Sequence, residues 1–420
     1  MSNKKLASNV VMLYVMTLGK YLLPLITLPY LTRVLTPDYY GVVSYMTSTM
    51  TYFQVFVDFG FLYSATRGAS LSRDNKKQLG EILSETIAAK LLLSLIGAVV
   101  LCGIIPFIDI LRENVLLTVL YYLSVVVTAF LPDYIYRGLE QMHIVSIRFI
   151  LARLVSTCLT FVFVKSPQDL LFVPLLTICG NLVAAVFSFL HLYKEMGIHF
   201  ERTCFKSIFS SIKSSSVFFA ATFANTAFGA TTTFLMGFSQ LSSITTAEIA
   251  YWGLAYQIIC TIEMLYDPIM SSLYPHMVKE KDYRLVKKIL VLFMPLVLLG
   301  VVVCYFAAPL GITIVGGKDY LDAVPVFRIL LPMLVFSFPA QLLGFPVLAP
   351  IKKEKWASFS NIAAGLFHVA GLLLLILTGF FTLINIAILR SCTNVVLFIS
   401  RVSIFGITFS KNKELSFYNE

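Results

Sequence analysis

The sequence predicts an all-α polytopic membrane protein, with about twelve transmembrane helices in two six-helix lobes. Three observations carry that expectation. First, the 420 residues are 58% hydrophobic and only 13% charged, whereas a soluble domain is about one quarter charged. Second, apolar stretches of about 20 residues, the length a helix needs to cross hydrocarbon, recur from end to end. Third, Lys and Arg collect in alternate connectors, as they do on the cytoplasmic side of membrane proteins. A transmembrane β-barrel is excluded, because its strands alternate apolar and polar residues and runs such as "LLLSLIGAVVLCGII" (Leu91–Ile105) do not.

In chain order the expected spans are 10–34, 39–61, 81–107, 115–136, 144–165, 169–193, 214–238, 247–271, 288–313, 323–348, 356–378 and 382–406. With the N-terminus placed in the cytoplasm, 23 of the 32 Lys and Arg residues fall in inner segments. Four fall outside: Arg33, Arg112, Lys165 and Lys318. This bias places both termini inside. It also explains the net charge of +10 as a topology signal, without nucleic acid as a partner. "MSNKK" lacks a cleavage site, so the first span is expected to stay as an anchor. The seven cysteines form no CxxC pair, and neither zinc nor a disulfide framework is indicated. No phosphate-binding loop or Ser/His/Asp arrangement is present, so no cofactor and no catalytic residues are expected. The outer connectors are all short, which argues against an enzyme acting on an exported substrate.

Between spans one and two, "LTRVLTPDYYGVVSYM" (Leu31–Met46) reads as an outer turn. Pro37 stops one helix and Tyr39-Tyr40 seat the next at the interface. "YWGLAY" at Tyr251–Tyr256 echoes it, and places Gly253 opposite Gly41 at an offset of 212. The same offset sets Gly138 opposite Pro350 and Lys76 opposite Lys288. Three landmarks at one offset indicate a repeated six-helix unit. Six is even, so both copies share one orientation in the membrane. The connector "GIHFERTCFKSIFSSIKSSS" (Gly197–Ser216) carries Phe205, Ile208, Phe209 and Ile212 at helical spacing, the pattern of an amphipathic helix on a membrane surface. The expected organisation is thus a lobe over 1–196, a cytoplasmic connector over 197–213, and a second lobe over 214–420.

Charges inside a bilayer are costly and mark function. Lys20, Lys90 and Arg153 each lie near the middle of a first-half span, and a shared basic cavity is the economical way to keep all three from lipid. The alternative is internal ion pairing. Arg390 lies nearer the outer surface, as does Arg328, for which snorkelling is the better reading. Among acidic groups, Glu263 and Asp267 stand at i and i+4, one face of an uninterrupted helix. They are candidates for coupling to an ion, with pairing to basic loop residues as the plainer reading. His368, deep in span eleven, is either a neutral core histidine or a proton relay. Prolines crowd span ten at Pro325, Pro332, Pro339 and Pro346, where bent helices serve as hinges or as fixed kinks.

"PYLTRVLTPDYYGVVSY" resembles the opening of Wzx-type polysaccharide or O-antigen flippases of the MOP exporter superfamily. "FVDFGFLYSATR" (Phe56–Arg67) is similar to the end of their second helix, and "YIYRGLEQM" (Tyr134–Met142) to their fourth-helix exit. "GGKDYLDAVPVFRILLP" (Gly316–Pro332) is similar to their loop before helix ten. The resemblance implies an alternating-access flippase of the bacterial inner membrane. Such a protein moves an undecaprenyl-diphosphate-linked oligosaccharide to the outer leaflet, with polysaccharide polymerase and chain-length proteins as partners beside the membrane lipids. Lys20, Lys90, Arg153, Arg33 and Arg390 would then face substrate. Relatives that hold sodium do so with carboxylates in helices seven, eleven and twelve. Here those spans offer Asn225, Asn361, Asn385 and Asn394, which puts a sodium site in doubt and leaves proton coupling or membrane potential open. The rival readings are a multidrug exporter of the same superfamily, and a membrane glycan polymerase or ligase.

Overall fold

The computed structural model describes residue 19, residues 26–238 and residues 244–411. Lys20 lies outside the described residues. All described elements are helices, and every expected span from 39–61 onward falls on a helix or on abutting helices. Eight of these are long and apolar enough to cross a membrane by length and composition. Of the remaining expected spans, 10–34 lies largely outside the described residues, and 39–61, 214–238 and 247–271 fall on helices that do not meet that length and composition, so the expected count of twelve is approached rather than established.

The chain divides into two compact units at Ala230/Thr231. That boundary falls later than the expected connector, for a local reason. Phe205–Met236 form one continuous helix, α10, because the segment contains no proline and its one glycine, Gly229, comes near the end. The connector's apolar residues separate on this helix. Phe205 and Phe209 are exposed, whereas Ile208 and Ile212 pack against Phe61, Ala89 and Leu93 of the first unit.

Within the first unit, residues 26–34 form helix α1, and α2 (Pro37–Asp58) follows a two-residue turn. Pro37 occupies the first helical position, where its missing N–H costs nothing. The span does not run through. It stops at Asp58, passes Phe59 (φ 41°) and Gly60 (φ 75°) in the left-handed region, and resumes as α3 (Phe61–Leu71). Gly60 has two reasons to be glycine: its φ, and a Cβ that would meet Phe218 Cβ at 2.6 Å. Helix α4 (Lys76–Ile104) is unbroken over 29 residues, with Lys90 at its centre. A short helix, α5 (Asp109–Glu113), follows. The fourth span breaks again, into α6 (Val115–Ala129) and α7 (Asp133–Gly138), around Pro132. Gly138 lets α7 sit close on α3, since a Cβ there would lie 2.5 Å from Ala69 Cβ. Two further long helices, α8 (Met142–Phe163) and α9 (Phe172–Lys194), precede α10.

The second unit repeats the plan. Helix α11 (Thr246–Glu263) opens on a capping box from Thr245 and Glu248. It breaks through a 3₁₀ turn into α12 (Asp267–Glu280), and α13 (Tyr283–Gly316) then carries two internal prolines unbroken. Span ten is split into α14 (Ala323–Leu330), α15 (Pro332–Leu342) and α16 (Phe345–Leu348). Pro332 and Pro346 sit in first turns, and Pro339 lies inside α15. Helices α17 (Glu354–Leu377) and α18 (Leu383–Lys411) close the unit. The starts of α7 and α16, Asp133 and Phe345, are 212 residues apart, as are those of α8 and α17, Met142 and Glu354. The offset read from the sequence therefore returns as matching helix boundaries.

Candidate functional site

A cavity of about 590 Å³ lies within the first unit, in the size range of small-ligand sites (about 300–1,000 Å³). Helices α1 to α4 and α6 to α9 all contribute to its wall, with Gln54, Asp58, Lys90, Asp133, Arg148, Arg153 and Asn181 among the polar lining. Both helix breaks of the unit open onto it, and this gives the cavity its chemistry.

Lys90 stands at the middle of α4, about 21 Å from either end at 1.5 Å per residue. It is 4% exposed. Its Nζ donates to Asp58 Oδ1 at 2.9 Å and to the Ala129 carbonyl at 2.6 Å, and lies 5.6 Å from the centre of the Tyr134 ring. Asp58 is the last residue of α2 and Ala129 the last of α6. The final carbonyls of a helix have no intrahelical partner and carry the negative end of its dipole. One ammonium therefore meets a carboxylate and a helix terminus that the two breaks bring together. Gln54 Nε2 donates to Asp58 Oδ2 at 2.7 Å and fixes the carboxylate from the preceding turn.

A second pair lies beside the first. Arg148, buried on α8, donates to Asp133 Oδ1, at the first residue of α7. It also donates from NH1 to Ser188 Oγ on α9 at 2.9 Å. The guanidinium thus ties the short helix α7 to both long helices of that side. Asn181 Nδ2 donates to Thr128 Oγ1 at 2.7 Å and joins α9 to α6 across the wall.

Arg153 is different. It lies at the centre of α8, about 15 Å from either end, and lines the cavity. On α8 the positions 148, 152 and 156 form one i, i+4 row and 149 and 153 the next, and all five contribute to the wall. Arg153 has no hydrogen-bond or ion-pair partner among the described residues. Three basic and two acidic side chains line the cavity among those residues, so one positive charge, that of Arg153, is uncompensated.

The expected basic trio is thus sorted. Lys20 lies outside the described residues. Lys90 lines the cavity but is paired, and only Arg153 meets it unpaired. Arg33 is exposed on α1 and does not line the cavity. Arg390 belongs to the second unit, buried on α18, where it donates to Tyr256 Oη at 2.6 Å and lies over that ring. Glu263 ends α11 and Asp267 begins α12, with a 3₁₀ turn between them, and Asp267 lies in the field of Glu263. Glu263 lies within hydrogen-bonding reach of Ser337 and in the field of Arg390. His368 is fully buried, its Nε2 2.8 Å from Thr232 Oγ1 and its Nδ1 3.0 Å from Thr393 Oγ1. Two hydroxyls on its two ring nitrogens suit a neutral imidazole. Asn225 lies on α10, but its side chain is outside the described residues. Asn361 accepts from Arg401 NH2 at 2.7 Å. No group of three or more His, Cys, Asp or Glu that could hold a metal occurs among the described residues.

From the sequence alone, Arg148 falls in an inner connector and Asp58 and Asp133 fall near span ends. The signal for their role lay in their neighbours: Asp58 precedes Phe-Gly and Asp133 follows Leu-Pro, each a helix break with a carboxylate attached.

Residues 6–281 match the family described as polysaccharide biosynthesis protein. A chain of Escherichia coli (strain K12), carrying the provisional name O-antigen transporter, is 26% identical over 389 residues, covering 91% of this chain and 92% of the relative. A Shigella dysenteriae chain with the same provisional name is 24% identical over 368 residues, covering 86% and 90%. Among solved structures, an inward-facing multidrug-resistance MATE transporter of the MOP superfamily superposes with a TM-score of 0.70 at 14% identity, covering 96% of this chain and all of that one. The lipid II flippase MurJ, in an inward closed conformation, gives 0.69 at 13% identity, covering 94% and 87%. At these identities the two structures establish the fold, that of a multi-span MOP-type transporter.

Proposed function

This chain belongs to the polysaccharide biosynthesis protein family, and we propose that it is a flippase. Its substrate would be an undecaprenyl-diphosphate-linked oligosaccharide, moved from the cytoplasmic to the periplasmic leaflet for O-antigen or capsule assembly. The observation that carries the reading is Arg153. A guanidinium held at mid-helix without a carboxylate needs either water or an anion from the ligand. A diphosphate is such an anion, and its oxygens accept the paired N–H groups of a guanidinium. The provisional names of both relatives support the same substrate class. A cationic drug would meet Arg153 with repulsion, so the exporter alternative is the weaker one. The names of the relatives and neighbours, transporters and a flippase, also favour transport over glycan polymerase or ligase chemistry.

In this reading the protein lies in the inner membrane with both termini cytoplasmic, and hands its product to polymerase and chain-length proteins. The test is complementation of a flippase-deletion strain. Arg153→Glu is expected to abolish surface polysaccharide at normal membrane levels of the protein, and Arg153→Lys to retain part of it. Full surface polysaccharide from Arg153→Glu would overturn the reading.

A further inference from the structure

Helix α13 carries Pro295 and Pro309 in its interior. A proline has no N–H, so each leaves the carbonyl four residues earlier without its helical donor. These are the carbonyls of Val291 and Tyr305. In a bilayer such a carbonyl has no water to turn to. The two prolines are treated differently. Arg328, on α14, donates from Nε to the Tyr305 carbonyl at 3.1 Å. Its guanidinium also lies 4.8 Å from the centre of the Tyr305 ring. No side chain among the described residues donates to the Val291 carbonyl. The direction of the Arg328 side chain rules out snorkelling. Arg328 lies about 8 Å along α14, whereas Tyr305 stands about 17 Å back from the end of α13 that α14 follows. The guanidinium thus reaches away from the connector and into the span. Its target also marks a change in how α13 is held. None of residues 287–307 is buried, whereas Ala308, Ile312 and Gly316 are. Tyr305 and Pro309 straddle the point where the packed end of the helix gives way to the unpacked middle.

We propose that Pro309 is a hinge of α13 and that Arg328 is its lock, a positioning residue that supplies the N–H Pro309 lacks. A backbone N–H leaves its carbonyl only when the helical turn unwinds. A side-chain donor on another helix withdraws by rotating its own torsions, so the bend opens and closes while the helix stays intact. Two groups hold the closed form, the carbonyl and the ring face, and both belong to Tyr305. Because the lock sits on α14, it ties the bend of α13 to the first piece of the broken span ten.

The test is a cycle of full-length proteins in lipid nanodiscs: wild type, Arg328→Met, Pro309→Ala and both together. Hydrogen exchange of residues 303–316 is read by mass spectrometry. Arg328→Met is expected to speed exchange there several-fold. Pro309→Ala restores a backbone N–H to the Tyr305 carbonyl, so it should slow exchange below wild type and make Arg328 dispensable. The double variant should then match Pro309→Ala alone. Arg328→Lys should fall between wild type and Arg328→Met, since an ammonium donates to the carbonyl but lacks the planar stacking of a guanidinium. Equal acceleration by Arg328→Met with and without Pro309 overturns the lock, because packing alone then accounts for it. Unchanged exchange in every variant overturns hinge and lock together. Neither outcome depends on the flippase reading. Under that reading, Pro309→Ala should also lower surface polysaccharide several-fold at normal membrane levels, and full surface polysaccharide would overturn the hinge's part in transport.

Discussion

The two units break the same helix and repair it with different chemistry. In the first, α6 ends at Ala129 and α7 begins at Asp133; in the second, α15 ends at Leu342 and α16 begins at Phe345. A buried cation holds the loose end in each: Lys90 on the Ala129 carbonyl, Arg401 on the Ala340 carbonyl. A guanidinium–serine bridge also joins the two long helices that follow the break in each unit, but with the partners exchanged. Arg148 on α8 reaches Ser188 on α9, whereas Arg401 on α18 reaches Ser360 on α17 at 3.2 Å. Arg148 and Ser360 stand 212 residues apart and Ser188 and Arg401 213, so the two bridges lie at nearly corresponding places in the repeat with the charge on the other helix. The difference lies in the counter-charge. Lys90 and Arg148 in the first unit meet carboxylates that open onto a cavity, while Arg401 meets a carbonyl, a hydroxyl and the Asn361 amide among the described residues. The architecture therefore requires a donor at the broken helix, and leaves free whether an acid accompanies it. Where acids do, a polar cavity results.

The largest effect that would test this contrast is at Lys90. Lys90→Met leaves Asp58 without its counter-ion inside the unit, and removing one partner of a buried pair typically costs about 3–5 kcal/mol. With Asp58 partly exposed, the lower end is expected. Thermal unfolding in detergent should show a clear loss, and Lys90→Met with Asp58→Leu should recover most of it. An unchanged midpoint for Lys90→Met alone would show that the pair is not what holds the break.

Arg401→Met should cost less, about 1–3 kcal/mol, because the partners it deserts are neutral. The sharper experiment moves the charge. Arg401→Ser combined with Ser360→Arg places the guanidinium on the helix that carries it in the first unit. Recovery of stability beyond Arg401→Ser is expected. If the double variant is worse than both single ones, the correspondence between the two bridges is only formal.

Much of this architecture was legible in the sequence, and the reasons are local. Apolar length and Lys/Arg bias mark spans whatever packs beside them, and the offset of 212 returns in the starts of α7 and α16 and of α8 and α17. The pairing of charges was not legible. Lys90 and Asp58 are 32 residues apart, and only the break at Phe59-Gly60 stops α2 where its carboxylate meets α4. The same holds for Arg148, whose position near the start of α8 reads as a loop charge until α7 folds back to present Asp133. Arg153 was legible by depth alone, and no described residue pairs with it.

The smallest expected effect is at His368, and it bears most directly on whether the second unit takes part in the chemistry. Its two ring nitrogens face Thr232 and Thr393 hydroxyls within the second unit. A neutral imidazole satisfies both, as acceptor from one and donor to the other. Glutamine offers the same acceptor and donor on a similar stem, so His368→Gln should cost no more than about 1 kcal/mol. A group that does not titrate also cannot set a pH dependence. The pH profile of transport between about pH 5.5 and 8, the range in which an ordinary histidine changes charge, should therefore match that of wild-type protein. A profile displaced in the variant would make His368 a titrating participant. The second unit would then hold a group that titrates in this range, and the contrast between carboxylate-paired cations in the first unit and the neutral partners of Arg401 in the second would weaken.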